Sequence, residues 1–136
     1  MQLSITFPHP SNALSPNAKA PLQPRAAAGL NARKMRIKTE TRHAAFVLAN
    51  KALNSVPQRN MPAREVEVCW YYKGVCPDVD NVVARLKPLI DGCAQAFGIN
   101  DRDIELGRVR RVHSLGTEAG TLTLTFNTEL TQWTLS

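Results

Sequence analysis

The chain has 136 residues, which suits one compact domain with its own hydrophobic core. It contains no apolar run near the roughly 20 residues that a membrane-spanning helix needs, and its first residues do not resemble a secretion signal. Three cysteines without a CxxC pair predict reduced thiols rather than a disulfide framework. We therefore expect a cytoplasmic protein.

The net charge of +6 is concentrated in one half of the chain. Residues 1–60 contain nine lysines and arginines and one acid, whereas residues 61–136 contain eight basic and ten acidic residues. A basic half suits a polyanion such as DNA, because it neutralises phosphates and releases counterions. The alternative is a basic surface that only keeps the protein soluble, and composition favours neither interpretation.

The first half predicts one strand and one helix. Residues 1–7 alternate enough for a strand, and the proline- and alanine-rich stretch 8–33 predicts a partly mobile loop. A helical period follows over residues 34–54 and ends at Pro57. The apolar side of this helix is predicted at Ala44, Ala45, Val47, Leu48 and Leu53.

The second half predicts three strands and one helix. The strands lie over residues 66–72, 104–112 and 120–126, and the helix over 78–97. In the first of these strands Trp70, Tyr71 and Tyr72 could stack on an unpaired base of DNA, but a strand with alternate residues packed in the core is favoured. The order β-α-β-α-β-β predicts an α+β fold in a single domain over residues 1–136. In this fold a small mixed β-sheet carries two main helices on one face.

Acidic residues mark one side of the second helix. Asp78 and Asp80 lie at its start, and at about 100° per residue Asp80, Lys87 and Asp91 fall on one stripe with Ala84. The opposite side is apolar and is predicted to face the core. Its residues are Val82, Leu86, Leu89, Ile90, Cys93 and Phe97.

Two or three such carboxylates suit Mg²⁺, which prefers carboxylate oxygens and water. Without a cation the cluster is costly, because like charges raise one another's pKa. A bound metal would polarise a phosphate and activate water, and Lys87 could stabilise the charge of the transition state. The alternative is that Asp78 and Asp80 cap the helix and that Asp101 and Asp103 are turn residues. Taken by themselves, the residues favour caps and turns.

The motif Asp78–Asn81, the pair Lys87 and Asp91, and the downstream Asp101 resemble the DxDN, KxxxD and aspartate signature of the RusA family of Holliday-junction resolvases. The segments Phe7-Pro8-His9-Pro10 and Leu14-Ser15-Pro16-Asn17 also resemble that family's N-terminal loop, especially in its phage-borne members. The resemblance covers most of the chain in matching order.

The resemblance implies a homodimeric endonuclease that resolves four-way DNA junctions in recombination and repair, inside a bacterial or phage-infected cell. Its cofactor would be Mg²⁺, with Mn²⁺ as a substitute. By position, Asp78, Asp80 and Asp101 match the family's metal-binding aspartates, and Lys87 matches its functional lysine. Asn81, Asp91 and Asp103 would support the site. The spacing from Asn81 to Lys87 is longer, by nearly a helical turn, than in the shortest family form, which leaves Arg85 as an alternative cation.

The DNA would be held through its phosphates, so that branch shape rather than base edges is read. The residues predicted to contact it are Lys34, Arg36, Lys38, Arg42, Arg85, Arg108 and Arg110. Two alternatives stay open: a nuclease of the same fold that prefers flaps or other branches, and a branched-DNA-binding protein without catalysis.

Overall fold

Four strands and two long helices are found in the part of the chain that the structure, a computed structural model, describes: residues 1–15, 24–56 and 61–130. The strands are β1 (Gln2–Pro8), β2 (Glu65–Tyr72), β3 (Glu105–His113) and β4 (Thr121–Asn127). The helices are α1 (Pro24–Leu53) and α2 (Val79–Phe97). Short 3-10 turns occupy Asn12–Leu14 and Asp101–Asp103.

The strands form one mixed sheet in the order β1-β4-β2-β3. β4 pairs antiparallel with β1 and with β2, whereas β2 and β3 are parallel and joined through α2. A parallel pair needs such a crossover, because a tight hairpin joins only antiparallel strands. The predicted α+β fold and its element order are confirmed.

The core lies between one face of the sheet and the two helices. The sheet contributes alternate residues, as period-2 strands do: Leu3, Ile5, Phe7, Val66, Val68, Trp70, Leu122, Leu124 and Phe126. The predicted apolar side of α2 is buried too, at Val82, Leu86, Leu89, Cys93 and Phe97. Trp70 is only 1% exposed, as expected if alternate residues of this aromatic run pack in the core.

The first helix begins earlier than the sequence predicted. It starts at Pro24 instead of Lys34, so the prediction of a loop over 8–33 is wrong for residues 24–33, and also for Pro8, which ends β1. Proline is well placed in the first turn of a helix, and the alanines that follow are the strongest helix formers. Residues 16–23 and Pro57 lie outside the described residues.

The buried side of α1 was also predicted only in part. Ala45, Ala49 and Leu53 are buried, whereas Ala44 and Val47 are exposed. Within the described residues, no helix combines the length and the apolar character that crossing a membrane requires.

The two helices are in close contact at Gly92 of α2. A Cβ atom built there would lie 2.2 Å from the carbonyl oxygen of Arg42 and 2.8 Å from the Cβ of Ala45. Backbone cannot yield as a flexible side chain can, so only glycine fits at this crossing. The contact fixes the lateral position of Arg42 against α2.

We expect Gly92→Ala to lower the free energy of unfolding by about 1–3 kcal/mol, the usual cost of overpacking, although alanine is the better helix former. The matched control is Gly29→Ala on α1, where an added Cβ meets nothing within 4 Å. That variant should gain up to about 1 kcal/mol. Urea denaturation of both variants measures the difference, and equal stability of the two would contradict the crossing.

Candidate metal and DNA site on the second helix

Three of the predicted site residues meet at the middle of α2. The Lys87 ammonium lies 2.7 Å from Asp101 Oδ2 and 3.4 Å from Asp91 Oδ1. The lysine side chain is 66% exposed, and each aspartate side chain is 31% exposed. We call Lys87, Asp91 and Asp101 the Lys87 cluster. Lys87, and not Arg85, is thus the cation beside these carboxylates.

Local backbone structure explains why the cluster forms. Lys87 and Asp91 are four residues apart on α2, so their side chains lie one above the other. Gly98 ends the helix in the left-handed conformation, with φ of 73°, and turns the chain back. The Asn100 side chain then accepts a hydrogen bond of 3.0 Å from the Arg102 amide and starts the short turn that presents Asp101.

The electrostatics of the cluster are those of two carboxylates held together by one cation. Burial raises the pKa of Asp91, and its hydrogen bond with Asp101 raises it further, while Lys87 acts in the opposite direction. The hydrogen bond from Lys87 lowers the pKa of Asp101, and the same bond raises the pKa of Lys87. The Asp91 site therefore favours a proton or another cation.

A buried oxygen points the same way. Asp91 Oδ1 is buried and accepts no hydrogen bond among the described residues, and its ion pair with the Lys87 ammonium is long, at 3.4 Å. A buried carboxylate oxygen without a hydrogen bond is costly. Carboxylate oxygens are also the ligands that Mg²⁺ prefers, and Mg²⁺ usually takes only one or two of them beside water and phosphate. Asp91 and Asp101 fit that requirement.

Two residues of the cluster, Lys87 and Asp91, border a groove between α1 and α2 of about 520 Å³, whereas Asp101 does not line it. Lys87 and Asp91 line it from α2, and Lys38 and Arg42 line it from α1. Lys38 and Arg42 are again four residues apart and share one side of their helix. Two of the predicted DNA-binding residues thus share a groove with two residues of the cluster.

The other predicted acidic residues lie elsewhere. Asp78 occupies the N-cap position of α2 but makes no capping hydrogen bond with its side chain, and Asp80 is exposed in the first turn. Asp103 is exposed at the end of its turn. Because α2 rises about 1.5 Å per residue, Asp80 lies roughly 16 Å along the axis from Asp91. Within the described ranges, no three His, Cys, Asp or Glu side chains are grouped to hold a metal ion. The structure does not bring Asp78 and Asp80 together with Asp101.

Arg85 and Asn81 contact the N-terminal segment. The Arg85 guanidinium donates to the Pro10 carbonyl, through Nε at 3.0 Å and through its terminal nitrogen, and it lies 4.8 Å from the centre of the Trp70 ring. Burial lowers the pKa of Arg85. Asn81 accepts a hydrogen bond of 2.9 Å from the Ser15 hydroxyl. These placements favour a structural role for both residues over contact with DNA or metal.

The N-terminal segment is held at His9 as well. Its ring stacks on Trp70 with a centroid distance of 4.0 Å, and its Nε2 lies 2.9 Å from the Thr121 carbonyl oxygen. Neither contact of His9 was predicted from the sequence. The segments around His9 and Ser15 stand out there only through their resemblance to the N-terminal loop of the RusA family.

The remaining predicted DNA contacts lie on two surfaces. Arg36 is exposed and Lys34 partly exposed on the N-terminal half of α1, near Lys38. Arg108 and Arg110 are exposed on β3 and line the face of the sheet that the helices leave open. They therefore do not share the groove with the Lys87 cluster.

Comparison with known proteins assigns no family. No family model and no solved structure matches the chain. An uncharacterized protein of Xylella fastidiosa (strain Temecula1) is 38% identical over 101 residues. The match covers 73% of this chain, and the chain spans about 60% of the length of that relative. The RusA resemblance therefore stays a prediction.

His9 should give the fold a measurable pH dependence. Burial lowers its pKa, and the nearby Arg85 guanidinium lowers it further, although the hydrogen bond to the Thr121 carbonyl acts in the opposite direction. The unfolded chain binds a proton at the ordinary pKa of 6.5, while the folded chain resists it. The contribution of the neutral His9 ring to the free energy of unfolding is therefore fully present above pH 6.5 and is lost as the pH falls below that value.

We expect the urea midpoint of the wild type to fall between about pH 7.5 and about pH 5.5 more steeply than that of His9→Gln. The matched control is His43→Gln, which replaces an exposed histidine of α1 and should keep the wild-type dependence. Parallel curves for wild type and His9→Gln would show that His9 does not couple folding to pH.

Proposed function

We propose that the protein is a Mg²⁺-dependent endodeoxyribonuclease that hydrolyses phosphodiester bonds in branched DNA, with the four-way junction as its substrate. One observation carries the proposal: a single groove is lined by Lys38 and Arg42 and also by Lys87 and Asp91 of the acidic cluster. Cations that can hold a phosphate thus share a groove with Asp91, a carboxylate that can help to hold a metal, and Asp101 lies next to the groove in contact with Lys87. Phosphodiester hydrolysis needs this combination of cations and carboxylates.

In this proposal each residue of the groove and of the Lys87 cluster has a separate role. Lys38 and Arg42 neutralise the phosphates on either side of the cut. Lys87, whose ammonium is largely exposed, stabilises the negative charge that gathers on the scissile phosphate. Asp91 and Asp101 would hold Mg²⁺, or Mn²⁺ in its place, and the bound metal supplies polarisation of the phosphate and activation of water. Asp78 and Asp80 remain predicted ligands at the start of the same helix.

The proposal includes a homodimer, because two symmetric sites suit a substrate with two-fold symmetry and paired cuts. The natural setting would be DNA recombination and repair in the cytoplasm of a bacterial or phage-infected cell. A nuclease of the same fold that prefers flaps or other branches would use the same groove and is distinguished by its substrate.

A branched-DNA-binding protein without catalysis is the second candidate. It is favoured by the direct contact of 2.7 Å between Lys87 and Asp101, which already neutralises one carboxylate. The lack of a three-carboxylate group among the described residues favours it too. The two candidates differ in whether a divalent metal leads to cleavage.

We expect paired nicks in a synthetic four-way junction with Mg²⁺, none in EDTA, and none in a linear duplex of the same sequence. Asp101→Asn and Asp91→Asn should each lower the cleavage rate by about 100-fold or more, since a metal ion contributes several kcal/mol to such a transition state. Both variants should still bind the junction. Glu118→Gln, an exposed acid in the turn between β3 and β4, is the matched control with unchanged rate.

Asp80→Asn in the same assay locates the metal. A loss confined to Asp80→Asn, with Asp91→Asn and Asp101→Asn active, would move the metal to the start of α2. Tight junction binding without cleavage under Mg²⁺ or Mn²⁺ would reject the nuclease and favour the binding protein.

The groove cations are tested by salt dependence. The double variant Lys38→Ala/Arg42→Ala should bind the junction more weakly, and its plot of log affinity against log salt should be shallower by about 2, one for each lost phosphate contact. Lys51→Ala, which removes an exposed cation near the other end of α1, is the control. An unchanged slope in the double variant would show that the groove does not hold the DNA backbone.

A further inference from the structure

We propose that the groove between α1 and α2 takes up one unpaired nucleotide of the branched DNA, with its base against the apolar floor and its phosphate at the rim. This inference rests on the proposed DNA-binding function and specifies the form in which the substrate enters the groove. It requires that a nucleotide beside the branch leaves the base stack when the protein binds.

The size of the groove is the first argument. Its volume of about 520 Å³ falls within the roughly 300–1,000 Å³ of pockets that hold small organic ligands. One nucleotide is a ligand of this size, whereas a duplex is far too wide to enter a space between two packed helices. Duplex DNA could rest on the rim only.

The floor of the groove is the second argument. Leu14, Val83, Ala84 and Pro88 form it, and Leu14 and Pro88 are buried. Apolar side chains make no hydrogen bonds to a phosphate or to water, but they pack well against the flat, weakly polar face of a base. Side chains that only neutralise a DNA backbone do not need such a floor.

Leu14 is held in the groove from two sides. Ser11 accepts a hydrogen bond of 3.1 Å from the Ala13 amide and starts the short turn that carries Leu14. On the other side the Ser15 hydroxyl binds Asn81 at 2.9 Å. The floor is therefore built by the N-terminal segment and α2 together, before any ligand arrives.

Polar groups around this floor match a nucleotide. Lys38 and Arg42 supply two cations on one wall for its phosphate. Enzymes that act within paired DNA gain access in the same general way, by moving a nucleotide out of the stack.

The test places 2-aminopurine, a base whose fluorescence rises when it leaves the stack, at each position beside the branch of a four-way junction. Titration with the full-length protein in EDTA measures unstacking without cleavage. We expect the fluorescence to rise at one of these positions. Ala84→Leu fills the floor with a good helix former and leaves the groove charges in place, so it should lose the rise while it still binds the junction.

Ala44→Leu is the matched control, because it makes the same change at an exposed position of α1 and should keep the rise. A junction that binds with no rise at any position overturns the inference and leaves the nuclease proposal intact, since the cleavage assay is independent of it. A rise that persists in Ala84→Leu also overturns it. If the junction does not bind at all, the inference and the proposed function fail together.

Discussion

The site depends on the close approach of α1 and α2 at Gly92. Because the Arg42 carbonyl occupies the space where a side chain would stand, the backbones of the two helices are in direct contact at this point. Arg42 is therefore placed next to Asp91, the neighbour of Gly92 in sequence. Lys38, one turn before Arg42 on α1, and Lys87, one turn before Asp91 on α2, line the same groove. A larger residue at position 92 would separate the wall that carries the α1 cations from the wall that carries the acidic cluster.

A second set of contacts builds the floor between those walls. Trp70 anchors the end of β2 in the core, and its ring receives His9 and the Arg85 guanidinium. The hydrogen bonds from Arg85 to Pro10 and from Ser15 to Asn81 then fix the segment between them against α2. This segment carries Leu14, so the contacts around Trp70 control the shape of the groove although they lie outside it. They also explain why a conspicuous cation, Arg85, is not available at the cluster.

The sequence predicted those features that depend on a local period. Alternation identified all four strands, and the apolar spacing of α2 identified its buried side, because each pattern is set within a few residues. The start of α1 was missed because a segment rich in proline and alanine is typical of a loop, although proline at a helix start and alanine within it favour a helix. The contact between Lys87 and Asp101 was not predicted, since the return of the chain at Gly98 brings together residues that lie on different elements. The roles of Arg85 and Asn81 depend on the path of the N-terminal segment, which no local period reveals.

The acidic residues of α2 form two groups along its length. Asp78 and Asp80 lie at the start of the helix, whereas Asp91 lies further along and lines the groove. Lys87 lies seven residues, about two helical turns, from Asp80 and is beside Asp91 and Asp101 instead. A motif match alone treats Asp78 and Asp80 as the leading metal ligands. In the proposed nuclease, however, the metal has to lie where the phosphate is held, and the cations that could hold the phosphate lie on the groove with Lys87 and Asp91. Asp91 lines that groove and has a buried oxygen and a raised pKa, so we favour Asp91, with Asp101 beside it in contact with Lys87, over the pair at the helix start.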